Sequence, residues 1–258
     1  MRSQVKEAKP PEFLKLLAHD IRWQLILALT EGDLRVNELV ALLDEKMNLV
    51  SYHLKKLRDE QVVSMRRSES DGRDVYYSLN LQYLRNHYFQ AGALLHPALG
   101  CQAEDTVDDK EELPVQNTQK VRILFLCTHN AARSQMAEGL MRYYGGDQVE
   151  VFSAGHSPTR VHSCAIDTMD KLGIDIRKQY AKSITEFERQ LFDYVITVCD
   201  VAKEVCPSFD GDVQRLHWGF PNPLAIREGE ARNKAFSDIA DRLASRIQYL
   251  LKSIEQST

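Results

Sequence analysis

The chain has 258 residues, more than one small core usually takes and enough for two domains. Its formal net charge of −4 is close to neutral, so overall charge argues neither for nor against nucleic acid. No apolar run is long enough to span a bilayer, the polar start lacks the apolar stretch of a secretion signal, and five cysteines in that setting predict a cytoplasmic protein with reactive thiols rather than a disulfide framework. The acidic excess is local: residues 101–120 hold two basic against six acidic side chains, while the stretches on either side are nearly balanced.

In chain order, a polar tail ends at Pro10-Pro11. Phe13, Leu14, Leu16, Leu17, Ile21, Leu25, Ile26 and Leu29 then recur at helical spacing until Glu31-Gly32-Asp33 interrupts them. Asn37 is the expected cap of a second helix carrying Leu39, Val40, Leu42 and Leu43, and a third runs over residues 48–58. Two strands follow, at 62–67 and 75–79. Between them lies Ser70-Asp71-Gly72-Arg73, whose Asp-Gly pair suits a hairpin turn needing positive φ. Residues 81–95 read as a further amphipathic helix. Periodicity fails from 100 to 119, which predicts a linker.

Beyond it the rhythm changes. Short apolar strands at 121–126, 149–152, 194–198 and 213–216 alternate with helices, and the last helix carries Phe236, Ile239, Ala240, Leu243, Ile247, Leu250, Leu251 and Ile254. That alternation predicts an α/β domain with a four-stranded parallel sheet covered on both faces. The expected organisation is residues 1–100 as an α+β domain, 101–120 as an acidic linker and 121–258 as the α/β domain.

The first strand of the second half runs into Cys127-Thr128-His129-Asn130-Ala131-Ala132-Arg133-Ser134 and then a helix. Loop N–H groups and the helix start make an anion cradle. Arg133 can grip two oxygens of a tetrahedral oxyanion, the same field favours the Cys127 thiolate, and Ser134 is placed to hydrogen-bond the sulfur. Further on, Cys199 and Cys206 lie in Val198-Cys199-Asp200-Val201-Ala202-Lys203-Glu204-Val205-Cys206-Pro207. Phosphoester hydrolysis needs one cysteine; passing two electrons to an outside reductant takes three thiols.

These segments resemble the low-molecular-weight tyrosine phosphatase superfamily, and within it the thioredoxin-coupled arsenate reductases. Ser134-Gln135-Met136-Ala137-Glu138-Gly139, Ser153-Ala154-Gly155 and His217-Trp218-Gly219-Phe220 carry the likeness together with the loop. The resemblance implies arsenate as substrate (phosphate or sulfate as analogues), Cys127 as nucleophile, Cys199 and Cys206 as a relay, thioredoxin as external reductant, and no tightly bound cofactor or metal. Three positions depart from the family. Ala132 stands where Cys is frequent, His129 replaces a usual Gly, and Asn222, in Phe220-Pro221-Asn222-Pro223, replaces the general-acid Asp. Asn cannot supply a proton at neutral pH, so strong phosphatase activity is not expected and reduction should be slowed. Some such reductases bind potassium beside the loop. The matching positions are Asn130, Glu138, Ser153 and Lys182, where Lys182 replaces an Asp and its ammonium takes the ion's place.

Residues 12–95 resemble the ArsR-type winged helix-turn-helix repressors, through Leu17-Ala18-His19-Asp20-Ile21-Arg22-Trp23-Gln24-Leu25, Val50-Ser51-Tyr52-His53-Leu54-Lys55-Lys56-Leu57-Arg58 and Arg73-Asp74-Val75-Tyr76-Tyr77-Ser78-Leu79. The resemblance implies operator DNA as partner. Ser51, Tyr52 and His53 are then expected near base edges, and Lys55, Lys56, Arg58, Arg66, Arg67 and Arg73 at phosphates. It also implies a homodimer through residues 12–30 and 81–95. The Cys-x-Cys metal sensor of many relatives is missing, and the first 120 residues hold only Cys101. The combined expectation is a cytoplasmic arsenate reductase fused to a transcriptional regulator of arsenic resistance. Two alternatives stand beside it: a DNA-binding sensor that holds an oxyanion without turnover, and a protein-tyrosine phosphatase with a regulatory domain.

Overall fold

The computed structural model describes residues 9–96, 99 and 120–257. Cys101 and the expected linker up to residue 119 lie outside them. The described residues form two compact units: 9–67 with 74–96 and 99, and Ser68–Arg73 with 120–257.

The first unit contains α1 (Glu12–Leu17), α2 (Asp20–Thr30), β1 (Leu34–Arg35), α3 (Val36–Leu43), α4 (Met47–Asp59), β2 (Val63–Arg67), β3 (Val75–Leu79) and α5 (Leu81–Leu95). The apolar run expected as one helix is two, because His19 is extended and the buried Arg22 guanidinium donates to the carbonyls of Lys15 and Leu16, capping the first helix. α3 starts one residue before the expected cap: Arg35 N–H donates to Glu38 (2.7 Å), so Glu38 rather than Asn37 satisfies the helix start. β1 was not expected, since two residues carry no periodicity; it pairs with β3, giving an antiparallel sheet of order β1-β3-β2. The strands are joined by a connection longer than a two-residue hairpin, and Gly72 does not take positive φ because the longer loop does not require it. Leu25, Leu39, Val50, Leu54, Leu57 and Val62 are wholly buried and form this unit's core.

The second unit contains β4 (Val121–Cys127), α6 (Arg133–Gly145), β5 (Val149–Gly155), α7 (Ser163–Lys171), β6 (Tyr194–Thr197), α8 (Asp200–Glu204), β7 (Gln214–His217) and α9 (Glu230–Ser257). All pairings are parallel, in the order β5-β4-β6-β7. The apolar stretch Ile123-Leu124-Phe125-Leu126 is buried because β4 is covered on both faces. The apolar residues expected on the closing helix all face this core. From β4 the chain crosses to β5 on one side and later to β6 on the other. The topological switch point therefore falls at the carboxyl end of β4, where open α/β sheets bind ligands. Cys127 is the last residue of that strand. No described helix is long and apolar enough to cross a membrane.

Candidate active site

The loop after Cys127 is shaped by hydrogen bonds on its outer side. The carbonyls of Thr128, His129 and Ala131 accept from the N–H groups of Ser157 (2.8 Å), Thr159 (3.0 Å) and His162 (2.8 Å). In a trans peptide the N–H points away from the carbonyl, so outward carbonyls turn the next residues' N–H groups inward. Asn130 N–H accordingly donates to Cys127 Sγ at 3.1 Å. The His129 ring, where a Gly was usual, lies 3.0 Å from the Ser157 carbonyl and adds a tie on the same outer side. Ala131 and Ala132 are buried. Gly155 is required here: a Cβ on it would lie 2.7 Å from Asn130 N and 2.8 Å from the Thr128 carbonyl oxygen.

Asn130 is the hub. It holds the left-handed region at φ 47°, which Asn tolerates better than most residues. Its side-chain N–H groups donate to Ser134 Oγ (2.9 Å) and Ser153 Oγ (2.8 Å), and its carbonyl accepts from Gln135 Nε2 and Lys182 N–H, both at 2.8 Å. Ser134 Oγ in turn lies 2.9 Å from Cys127 Sγ. Behind this layer Glu138 accepts from Ser153 Oγ (2.5 Å) and from the Lys182 ammonium (3.1 Å), which also donates to the Tyr180 carbonyl. Asn130, Glu138, Ser153 and Lys182 are thus brought together. Lys182 is buried and paired, not a solvated surface charge.

Arg133, first residue of α6, is buried and donates through Nη1 to the Phe220 carbonyl at 2.6 Å, which fixes the guanidinium at the loop's mouth. Cys199 is also buried, with Sγ 3.4 Å from Thr128 Oγ1. Burial pushes its thiol up from the ordinary value, and Arg133 and the Thr128 hydroxyl draw it partly back. The same burial raises Cys206, opposed by Arg215. Both cysteines are free thiols at the two ends of the short helix α8, Cys199 as its N-cap and Cys206 just beyond its end. The start of that helix is anchored by His217, whose ring lies 3.0 Å from Asp200 Oδ1 and 2.8 Å from Thr197 Oγ1, all three buried.

Asn222 sits where an acid was expected. Its side-chain oxygen caps the following turn by accepting from Leu224 N–H (3.1 Å). One residue that sequence reasoning missed stands beside it. Glu69, on the turn Ser68–Arg73, accepts from Arg133 Nη1 (3.1 Å) and from the Asn222 backbone N–H, while its own N–H donates to Asp200 Oδ2 (2.7 Å). Ser70 Oγ on the same turn donates to Glu204. No spacing or periodicity links Glu69 to the loop, so nothing local in the sequence marks it. No group of three or more metal-binding side chains occurs among the described residues.

In the first unit, Ser51, Tyr52, Lys55 and Lys56 are exposed on one face of α4 and Arg58 is half-buried. His53 is a correction to expectation. It is 4% exposed and its ring packs 4.4 Å from that of His19, because the position falls on the core side of the helix. Arg67 and Arg73 are exposed. Arg66 instead leans on the Tyr76 ring (4.8 Å) and lies 3.6 Å from the buried Asp33.

Known proteins resemble both halves of the chain. Residues 19–64 match the bacterial regulatory protein arsR family. An arsenate reductase of Halalkalibacterium halodurans is 41% identical over 128 residues, covering 49% of this chain and 91% of that protein, and one of Bacillus subtilis is 37% identical over 127 residues, covering 49% and 91%. A solved thioredoxin-dependent arsenate reductase of Corynebacterium glutamicum aligns with a TM-score of 0.46 and 30% identity, covering 55% of this chain and 66% of that one. Residues 122–258 match the low molecular weight phosphotyrosine protein phosphatase family, and with that match covering more than half its length the chain belongs to this family, carrying an arsR-family segment ahead of it.

Proposed function

We propose that this protein is a cytoplasmic arsenate reductase fused to a DNA-binding transcriptional regulator of arsenic resistance. One observation carries the choice of reduction over hydrolysis: a second buried thiol, Cys199, lies against the nucleophile's own loop through Thr128. In this reading Cys127 attacks arsenate held by the loop amides and Arg133, forming a sulfur–arsenic bond as an oxygen departs. Cys199 then attacks Cys127 Sγ, arsenite leaves with the electron pair, and a Cys127–Cys199 disulfide remains. Cys206 takes over Cys199, freeing Cys127, and thioredoxin reduces the final disulfide. Lys182 acts as a built-in cation behind the loop, so potassium is not required. Ser51 and Tyr52 face operator bases, with Lys55, Lys56, Arg58, Arg67 and Arg73 at phosphates. The exposed Trp23 and Leu27 on α2 and Tyr88, Leu94 and Leu95 on α5 support a homodimer through residues 12–30 and 81–95.

The test is arsenate-dependent NADPH consumption with thioredoxin and thioredoxin reductase, run beside a phosphoester substrate. Turnover of arsenate that Cys127→Ser abolishes, with DNA binding intact, is the expected result. Turnover of the phosphoester alone would replace the reductase with a phosphatase. The use of Asn222 as a turn cap favours a second reading, an oxyanion sensor without turnover, which predicts arsenate binding but no NADPH consumption.

A further inference from the structure

Breaking a bond to oxygen at this loop leaves a basic oxygen that must gain a proton, and a positioned acid contributes 10²–10⁴-fold to such a step. Asn222 cannot provide it: an amide has no acidic proton at neutral pH, and its oxygen is already used in the turn. Asp200 is committed to His217 at 3.0 Å. Cys127 and Arg133 hold the attacking and binding roles.

The geometry points to Glu69 as the acid of this active site. Its carboxyl lies at Arg133 Nη1 (3.1 Å) and at the Asn222 backbone N–H, so it stands at the very position whose own side chain cannot act. It is also held there. The turn Ser68–Arg73 is folded on Ser68 Oγ, which accepts from the N–H groups of Ser70 (3.2 Å) and Asp71 (3.3 Å), and the Glu69 N–H is fastened to Asp200 Oδ2 at 2.7 Å. The Glu69 side chain keeps 28% exposure, so it stays open to solvent. In the step, the Cys127 sulfur–arsenic bond forms and an arsenic–oxygen bond breaks. As it stands Glu69 is a carboxylate paired with Arg133. When the bound oxyanion draws Arg133 onto itself, Glu69 takes a proton from solvent and passes it to the departing hydroxyl, which leaves as water. Glu69 then returns to the carboxylate beside Arg133. Arsenic keeps its oxidation state until Cys199 attacks, so no oxidant or reductant enters here. The Asp-to-Asn change at 222 is thereby compensated from a part of the chain far away in sequence.

This inference rests on the reductase reading, and the experiment separates the two. Arsenate kinetics with thioredoxin are measured for the full chain, E69Q, E69A, N222D and E69Q/N222D. Glu69→Gln should lower kcat by about 10²-fold or more with KM little changed. Added formate or acetate should restore part of the loss in E69A, an effect that a merely structural role does not give. Asn222→Asp should restore turnover to E69Q, because it returns an acid to the same place. An active parent whose E69Q variant keeps kcat overturns the proposal alone. So does a lower KM for arsenate with kcat unchanged or raised, because Glu69 would then be a tethered competitor of the oxyanion. A parent that turns over neither arsenate nor a phosphoester removes the reductase reading and this proposal with it.

Discussion

The nucleophile loop and the α4 helix treat their polar groups in opposite ways. Around the loop, Asn130, Ser134, Gln135 and Ser153 are fully buried and linked to one another by hydrogen bonds. On α4, Val50, Leu54 and Leu57 are fully buried on one side while Ser51, Lys55 and Lys56 stand in solvent on the other. A small anion can be gripped only by donors fixed before it arrives, because reorganising them in each encounter would consume the binding energy. A phosphate backbone is held differently. Solvated cations displace its counterions, and the long side chains need no fixed pose. The first region is therefore intolerant of small displacements, and the second is graded in its response to lost charge.

The widest separation between the two is expected from Cys206→Ser. It should release one arsenite per chain in a burst and then stop, while operator binding is unchanged; sustained turnover with thioredoxin would remove Cys206 from the relay. Gly155→Ala tests the rigidity of the loop. Its Cβ would press on Asn130 N and the Thr128 carbonyl, and a shift of that size should cost about 10²-fold in turnover. Parent-level activity in that variant would mean the loop is softer than its hydrogen bonds indicate.

On the α4 side the effects shrink. Lys55→Ala should weaken binding to all DNA sequences alike and reduce the slope of log affinity against log salt by about 1, read from titrations of the protein's own promoter at several salt concentrations. Loss of preference for one sequence instead would place Lys55 at a base. The smallest effect concerns His53. Burial first, and then the nearby His19, Arg22 and Lys56, hold its pKa below the ordinary value of 6.5. As pH falls through that value the unfolded chain takes up a proton that the folded unit resists, so the first unit should lose stability on mild acidification and be unaffected above it. Thermal melts between pH 5 and 8 check this, and His53→Leu should flatten the dependence.

Much of this molecule was legible in one dimension. The strand, loop and helix at Cys127 could be read because a continuous apolar run ends at Cys127 and helical spacing resumes after Arg133. The parallel sheet could be read because strands buried on both faces are continuously apolar, as residues 123–126 are. On α4 the structure buries Leu54 and Leu57 and exposes Lys55 and Lys56, and the helical period puts His53 on the buried side with the leucines although Ser51 and Tyr52 beside it are exposed. The break between α1 and α2 was hidden because Arg22 caps the first helix from a different turn of chain.

What sequence alone determined is what is held locally: the strand, loop and helix around Cys127, the spacing of Cys199 and Cys206, and the run of Lys55 and Lys56 on one helix. Tertiary structure decided which distant groups those elements meet. It set Cys199 against Thr128, buried Lys182 on Glu138, and brought the Glu69 carboxyl to Arg133 and Asn222. These contacts join residues with no fixed spacing, and they depend on how strands and helices pack, which composition and periodicity do not encode.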